Sequence, residues 1–322
     1  MLRATSLQNN MIKKRFLVLG AGVVGQVYAA FLGEAGHDVV IYTRSEKLPT
    51  LLKEGIVLKY GSKPVQSFHK FRAVDSIENL GKFDYILPCF RADQRAAFEE
   101  ILTKLSDKSG EIVLCFPMWK HQTLKNSESF KAIHFLMPGI KGLFREDHIF
   151  FTHDVTYVSL WSKGTREMTK TFAAILSATG LKTKYFEDFG GKFQNKMCMG
   201  IPVLLGVAAS GHSVRAFAKN FEARKLTADS MKELLSASAA RGVAIPLYGK
   251  LILALPKGLI RFALWVVGKT LPGFYREMIE IHFHKVHQQN LMLIYSFIAD
   301  GKSGKYGFDS TLKLLRLSGG KE

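Results

Sequence analysis

The sequence of 322 residues has little cysteine, a deficit of acidic residues and no long uninterrupted hydrophobic run. Its three cysteines, Cys89, Cys115 and Cys198, share no metal-ligand spacing and are too few for a disulfide framework. A cysteine zinc site and a disulfide-rich secreted class are therefore disfavoured, and a reducing compartment is expected. Hydrophobic residues make up 47% and charged residues 22% of the chain, as in globular proteins, and the length predicts two domains.

The sequence predicts neither a leader peptide nor a membrane span. Residues 1–14 are polar and mildly basic and lack the apolar core of a signal peptide. The longest uncharged apolar run, 197–214, is at the lower limit of spanning length and contains a proline, glycines and a histidine. The apolar run 251–268 is interrupted by Lys257 and Arg261. We therefore expect a cytoplasmic protein without stable membrane insertion.

The basic surplus is the largest deviation in composition. The chain has 45 Lys and Arg against 27 Asp and Glu, a formal net charge of +18. Such a charge favours nucleic-acid or membrane partners, but the basic residues are spread along the chain without a block of five or six. We expect most of the surplus to be solvated surface, and no nucleic-acid partner.

The first half of the chain alternates strand and helix patterns. Strands are predicted at 15–20, 38–43, 84–90, 111–116, 132–137, 155–161 and 181–186, helices up to Ala35 and at 92–105 and 165–179, and a β-hairpin over 55–74. Alternation of this kind predicts a Rossmann-type doubly wound, mostly parallel sheet.

From about Phe189 the pattern becomes helical. Helices are predicted at 195–211, 216–241, 247–268 and 274–299, with breaks at Gly242, Pro246, Pro256 and Pro272. The fold class is therefore α/β with a second, all-helical domain. We predict a flexible extension at 1–14, a Rossmann domain at 15–188, and a helical domain at 189–322 for substrate binding or for dimerisation as a homodimer.

A glycine-rich turn joins the first strand to the first helix. It reads Gly20-Ala21-Gly22-Val23-Val24-Gly25. Gly20 permits the tight turn, Gly22 allows a pyrophosphate to approach the backbone, and Gly25 allows the helix to pack closely on the strand. The helix N-terminus adds free N–H groups and a positive dipole end. The six residues are predicted to bind a dinucleotide cofactor because they also lie between a strand and a helix.

The end of the second strand indicates which cofactor is bound. NAD sites usually carry Asp or Glu there to hold the ribose hydroxyls, whereas this chain has Thr43-Arg44-Ser45. An arginine can hold a 2′-phosphate through paired hydrogen bonds. Arg44 therefore favours NADP (NADPH) over NAD. Arg91, directly after the buried strand at 84–90, is placed to hold a cofactor phosphate or a substrate carboxylate.

At these positions the sequence resembles the ketopantoate reductase (2-dehydropantoate 2-reductase) family. The resemblance rests on FLVLGAGVVGQVYAAFLGEAGHDVVIYTR at 16–44, KFDYILPCFRADQ at 82–94 and AARGVAIP at 239–246. A lysine-alanine pair followed by a glutamine in the family corresponds to Arg91, Ala92 and Gln94. The resemblance implies a cofactor contact for Gln94, and NADPH-dependent reduction of a small anionic 2-oxo acid to the 2-hydroxy acid.

The catalytic lysine of the family begins the first helix of its second domain, with asparagines four and eight residues later. By this resemblance Lys192 is the best match, and Lys196 and Gly200 stand where the asparagines are expected. Lys196 lies one helical turn from Lys192 on the same face, so either lysine could serve. Asn195 is a candidate for a displaced substrate-binding amide.

A second departure follows the fifth strand. The family usually has Asn-Gly there, whereas this chain has Cys115-Phe-Pro117-Met118-Trp119. Proline offers neither an N–H nor an amide side chain, so that contact cannot be made in the same way. A Rossmann-plus-helical dehydrogenase of the opine or hydroxy-acid type therefore stays open, as does an inactive NADP-binding regulatory protein.

The last long helical pattern is rich in polar residues. Glu280, His284 and His287 are spaced four and three apart, but they lack a zinc signature, and we predict no metal. His284 is a candidate for substrate contact from a polar stripe. Asn290 falls on the apolar side of this helical pattern. A buried amide there needs a hydrogen-bond partner, which could be a bound ligand or the backbone. A weaker alternative is a peripheral membrane protein that uses 251–274 and the basic surface.

Overall fold

The computed structural model describes residues 12–91, 94–105, 110–115, 119, 126–187, 189–301 and 307–320. The chain divides into two compact units, one of 1–117 with 121–189, and one of 118–120 with 190–322. Most of the predicted N-terminal extension, 1–11, lies outside the described residues, as do Ala92 and residues 116–118.

The first unit is a mixture of strands and helices. In chain order they are β1 (Arg15–Leu19), α1 (Val23–Glu34), β2 (Asp38–Tyr42), α2 (Leu48–Glu54), β3 (Ile56–Tyr60), β4 (Val65–Phe68), β5 (Arg72–Val74), β6 (Tyr85–Pro88), α3 (Arg95–Leu105), β7 (Glu111–Leu114), β8 (Ala132–Met137), β9 (Ile140–Phe144), β10 (Ile149–His153), β11 (Thr156–Leu160), α4 (Arg166–Ala178) and β12 (Thr183–Tyr185).

The main sheet has the order β12-β11-β8-β7-β6-β1-β2-β5. From β5 to β8 all neighbouring strands are parallel, and β11 is antiparallel to β8. The run Phe16–Leu19 is fully buried, because a parallel sheet covered on both faces requires apolar side chains on both. The predicted mostly parallel sheet is confirmed. The chain first adds β2 and β5 on one side of β1 and then adds β6 on its other side. The topological switch point of the sheet therefore lies between β1 and β6.

A second sheet, β4-β3-β10-β9, lies beside α1. Its strands β9 and β10 are absent from the sequence-based prediction. The predicted hairpin over 55–74 is correct for β3 and β4, which pair antiparallel, but β5 leaves it to pair with β2 in the main sheet. Phe31 of α1 meets Phe151 of β10 edge-on, with ring centroids 6.1 Å apart. The outer face of α1 is thus covered by this sheet.

The second unit is helical in its described residues. Its helices are α5 (Phe189–Ala208), α6 (Val214–Lys219), α7 (Phe221–Ala240), α8 (Leu247–Ala254), α9 (Lys257–Thr270), α10 (Gly273–Lys285), α11 (His287–Gly301) and α12 (Asp309–Leu317). The all-helical prediction for this half is confirmed. Among the described residues no single helix is long and apolar enough to cross a bilayer, and only α8 with α9, bent by 116°, pass that test as a pair.

Three predicted helices are divided in the structure. The helix expected at 216–241 is interrupted at Asn220, whose side chain accepts a hydrogen bond from Ala223 N at 3.0 Å and starts α7. The helical pattern at 247–268 is divided at Pro256, where a break was predicted, because Leu255 and Pro256 are extended. The helix expected at 274–299 breaks at Val286, where neither proline nor glycine signals an end.

Trp119 lies in a short segment, 118–120, that belongs to the second unit, whereas 1–117 and 121–189 belong to the first. Its side chain is fully buried, donates from Nε1 to the carbonyl of Leu293 at 2.7 Å, and packs on Phe297 with ring centroids 4.6 Å apart. The departure from the family pattern after the fifth strand therefore contributes an anchor to the helical unit.

Candidate dinucleotide site

The glycine-rich turn after β1 has a backbone that only glycine adopts readily. Gly20 has a φ of +110°, and its N–H donates to the carbonyl of Tyr42 at 2.9 Å. A Cβ on Gly20 would lie 3.2 Å from the carbonyl oxygen of Cys89, which ends the neighbouring strand segment. A Cβ on Gly25 would overlap the carbonyl oxygen of Gly20. The close packing of helix on strand predicted for Gly25 is thus what the backbone shows.

Gly22, the second glycine of the turn, faces open space at the start of α1. A Cβ on Gly22 would meet no described heavy atom within 4 Å. Gly22 is the N-cap of α1 and has no side chain to bond the first-turn N–H groups, and no acid lies in that turn. The N–H groups of Val23, Val24 and Gly25 have no preceding turn to bond to. This turn, which we call the backbone cradle, presents the electropositive start of α1 to the open space beside Gly22, as pyrophosphate binding requires.

Gln26 supports this turn and was not singled out in the sequence. Its side chain is 7% exposed, and Nε2 donates to the carbonyl of Ala21 at 3.0 Å. The ring of Phe90 lies 3.5 Å from the position of a Cβ on Gly20. An amide in the otherwise apolar start of α1 is the signal that could have identified Gln26. Together these side chains hold Ala21 and the turn in place.

The cradle lies at the switch point of the sheet, flanked by the ends of β2 and β6. Arg44 follows β2 with an extended backbone, and its side chain is 75% exposed. Its Nε is 3.7 Å from a carboxylate oxygen of Glu46. Arg44 is therefore exposed at the strand end where a ribose 2′-substituent is held in Rossmann folds. In this conformation Glu46 competes for the guanidinium.

Arg91 and Gln94 form a small local structure after β6. The N–H of Arg91 donates to Oε1 of Gln94 at 3.3 Å, and the N–H of Gln94 donates to the carbonyl of Arg91 at 2.9 Å. Both residues are exposed. The amide of Gln94 thus positions the Arg91 backbone beside the switch point.

The candidate catalytic lysines lie in the first two turns of α5. Lys192 and Lys196 are both exposed and one helical turn apart, so they share a face as predicted. Asn195, by contrast, is fully buried. Its Nδ2 donates to the carbonyls of Gly191 and Ala244, each at 2.9 Å. The amide N–H groups of Asn195 are therefore committed to the backbone of the second unit.

This geometry predicts that Asn195→Ala weakens the fold more than it weakens substrate binding. The carbonyls of Gly191 and Ala244 would each lose one hydrogen bond, at about 0.5–1.5 kcal/mol per bond. We expect the free energy of unfolding in urea to fall by about 1–3 kcal/mol, with KM for the expected 2-oxo acid substrate close to wild type. A large rise in KM with unchanged stability would instead assign the amide to the substrate.

The polar residues of α10 and α11 do not share one continuous helix. Glu280 accepts from the N–H of Val214 at 2.8 Å and so caps α6. His284 is exposed, and its ring meets that of His212 edge-on with centroids 4.4 Å apart. Nε2 of His287 is 2.8 Å from the carbonyl oxygen of Ser318. The described residues contain no group of three side chains placed to hold a metal ion.

The pKa of His212 is lowered by its surroundings. Desolvation by burial lowers the pKa of His212, and the nearby His284 and His287 lower this pKa further. Asn290 is 5% exposed, and its Nδ2 is buried without an acceptor among the described residues. His284 is thus exposed and Asn290 is buried. A substrate contact for either residue stays a prediction.

The comparisons with known proteins agree with this geometry. Residues 16–116, which contain β1, the glycine-rich turn and β6, match the family described as ketopantoate reductase PanE/ApbA. The resemblance predicted from the sequence is confirmed over this segment, which is similar to the ketopantoate reductase family. No curated protein sequence matches the chain.

Solved structures extend the likeness to the whole fold. A 2-dehydropantoate 2-reductase from Geobacter metallireducens GS-15 has a TM-score of 0.72 at 16% identity, covering 95% of this chain and 99% of its own. A PanE/ApbA family ketopantoate reductase from Ralstonia eutropha JMP134 has a TM-score of 0.71 at 14% identity, covering 94% of this chain and 97% of its own. D-mandelate dehydrogenase in complex with NADH and anilino(oxo)acetate has a TM-score of 0.68 at 16% identity, with coverage of 94% and 97%.

Proposed function

We propose that this protein reduces a small anionic 2-oxo acid to the 2-hydroxy acid with NADPH. The observation that carries the proposal is the open backbone cradle at Gly22, which lies at the switch point of a Rossmann-type sheet inside the segment matched by the ketopantoate reductase family. The residues fit a nicotinamide dinucleotide, because the cradle takes the pyrophosphate and Arg44 offers a cation to a 2′-phosphate.

The chain's own residues would perform binding and proton transfer. The chemistry that a bound nicotinamide supplies is hydride transfer to the carbonyl carbon of the substrate. The ammonium group of Lys192 is the proposed acid: it stabilises the negative charge that develops on the carbonyl oxygen and donates the proton to it. Lys196, on the same face of α5, is the alternative acid and adds positive charge that favours an anionic substrate.

The departures from the family pattern on α5 and after β7 fall where the family binds its substrate. Lys196 and Gly200 replace the two asparagines of the family, and 116–118 lack its Asn-Gly. The structural likeness to D-mandelate dehydrogenase therefore favours a second candidate, a 2-hydroxy-acid dehydrogenase that acts on a bulkier substrate.

A panel of 2-oxo acids separates these candidates. NADPH oxidation is measured with ketopantoate, with branched aliphatic 2-oxo acids and with aryl 2-oxo acids. Turnover limited to the aliphatic acids supports the first candidate, and turnover limited to the aryl acids supports the second. Tight NADPH binding without turnover of any 2-oxo acid would favour the remaining alternative, an inactive NADP-binding regulatory protein. The homodimer and the cytoplasmic location stay predictions.

The cofactor preference is tested at Arg44. Replacement by glutamine removes a charged hydrogen-bond donor, and we expect NADPH affinity to fall about tenfold while NADH affinity stays nearly constant. Glu46→Gln removes the competing carboxylate and should strengthen NADPH binding slightly. Lys53→Gln, an equal loss of charge at an exposed position on α2, is the matched control. Tighter binding of NADH than NADPH by the wild-type protein would contradict the assignment.

A further inference from the structure

The α8–α9 segment combines exposed hydrophobic side chains with a one-sided charge. Between Glu233 and Glu277 the chain has six Lys or Arg residues and no Asp or Glu. Large hydrophobic side chains on the same segment are exposed to solvent: Leu247, Tyr248, Leu251, Leu259, Phe262 and Trp265. We call these six residues the α8–α9 face. Several large exposed apolar side chains on one segment are typical of an interaction site.

The inner side of α9 is already packed within the second unit. Ile260 is 3% exposed and lies in a cluster with Ala228 and Met231 of α7. A Cβ on Gly268 would lie 2.8 Å from the Cβ of Ala218 on α6. The helix is therefore anchored on one side, and its opposite side carries Leu259 and Phe262, which are 54% and 60% exposed.

The aromatic and basic side chains of this surface lie next to each other. The rings of Phe262 and Trp265 are stacked with centroids 5.6 Å apart, and Nζ of Lys269 lies 5.8 Å from the Trp265 ring centroid. The guanidinium of Arg261 lies 5.2 Å from the ring centroid of Phe221. A recess of about 390 Å³ lies here and is lined by Phe221, Arg224, Gly258, Arg261, Phe262 and Trp265.

We propose that the α8–α9 face binds peripherally to an anionic lipid bilayer. Tryptophan and tyrosine are enriched at bilayer interfaces, and helices with apolar and Lys/Arg-rich sides lie in the plane of anionic membranes. The recess, with two arginines beside three aromatic rings, fits a lipid phosphate at the level of the head groups. The absence of acid from 234–276 supplies the charge complementarity.

Helix length makes this surface interfacial. At 1.5 Å per residue, α8 and α9 extend about 12 Å and about 21 Å, whereas the hydrocarbon core is about 30 Å thick. The 116° bend between them prevents a continuous span, and the packed side of α9 stays with α6 and α7. Only the outer side chains would enter the head-group region.

The charge also distinguishes a bilayer from a second copy of the chain. A two-fold interface places a surface against itself. Lys257 pairs with Asp229 of α7 at 3.0 Å. The other cations of the segment, among them the exposed Lys250 and Lys269, would then meet cations of the same segment without an intervening acid from 234–276. Anionic head groups neutralise them instead.

Vesicle flotation tests the proposal on the full-length protein. We expect the protein to float with vesicles of equal parts phosphatidylcholine and phosphatidylglycerol, to stay unbound with phosphatidylcholine alone, and to dissociate at high salt. Tryptophan emission should shift to shorter wavelength on binding and should lose that shift in Trp265→Phe, because Trp119 is already fully buried and Trp161 lies in the first unit.

Two double variants separate the apolar and the charged contributions. Lys250→Gln with Lys269→Gln should weaken binding to the anionic vesicles about twenty-five-fold, from about fivefold for each cation. Leu259→Ser with Phe262→Ser should weaken it about tenfold or more. Matched controls in the first unit are Lys53→Gln with Lys184→Gln, and Leu52→Ser, all at exposed positions. A thermal midpoint near wild type shows that each variant folds.

Three outcomes would overturn the proposal. One is no flotation with anionic vesicles at low salt. Another is equal binding of wild type and both double variants. The third is a wild-type dimer in sedimentation that dissociates in Leu259→Ser with Phe262→Ser while neither protein binds vesicles, which would assign the surface to a second copy.

Discussion

Lys192→Ala is expected to lower kcat for NADPH-dependent reduction of the accepted 2-oxo acid by about a hundredfold to a thousandfold. A positioned general acid contributes about 10²–10⁴-fold to rate, and the loss of positive charge near the developing alkoxide adds to this effect. The side chain is exposed near the start of α5, so the fold should tolerate its removal. Steady-state kinetics give the split between kcat and KM.

Lys196→Ala tests the second lysine on the same face of the helix. If Lys192 is the acid, Lys196→Ala should raise KM for the anionic substrate several-fold and change kcat little. Lys225→Ala, at an exposed position on α7, is the matched control for loss of a lysine. Full activity in both Lys192→Ala and Lys196→Ala would remove the proposed mechanism, whereas the reverse pattern would exchange the two roles.

Gly22→Ala is expected to weaken NADPH binding about tenfold to a hundredfold while leaving the stability of the protein nearly unchanged. The added methyl meets no described atom within 4 Å, so the folded chain accommodates it. It occupies the space into which the pyrophosphate would enter, and overpacking of this kind costs about 1–3 kcal/mol. Isothermal titration measures the affinity, and urea unfolding measures the stability.

Gly25→Ala should behave differently, although it lies only three residues later. Its methyl would overlap the carbonyl oxygen of Gly20, so α1 must shift away from the strand, and both stability and NADPH affinity should fall. Gly307→Ala, where an added Cβ also meets open space, is the control for a glycine replacement away from the cradle. Unchanged NADPH affinity in both Gly22→Ala and Gly25→Ala would place the cofactor elsewhere.

The first β-α-β unit was predictable because its signals are local. A continuous apolar strand, a glycine turn and a helix ended by Gly36 lie within 15–43, and each element has the length that its pattern predicts. The second sheet was not predictable in the same way. Its strands β9 and β10 are defined by packing on α1, as between Gly142 and Val23, whose contact joins residues far apart in sequence.

In the candidate site, too, features set by contacts between distant residues could not be predicted from the sequence. The spacing of Lys192 and Lys196 fixed their common face once α5 was recognised, but nothing local distinguishes the buried Asn195 from an exposed amide. Its two carbonyl partners include Ala244, which is 49 residues away. The break at Val286 likewise separates His284 from Asn290 without a proline or glycine to announce it.

The most direct test of the central claim follows the hydrogen itself. The protein is incubated with the 2-oxo acid that it turns over and with NADPH carrying deuterium at the reactive position of the nicotinamide ring. The account predicts that deuterium appears on the hydroxyl-bearing carbon of the 2-hydroxy acid, in an amount equal to the NADPH oxidised. NADPH oxidation without deuterium in the product, or no oxidation with any 2-oxo acid, would contradict it.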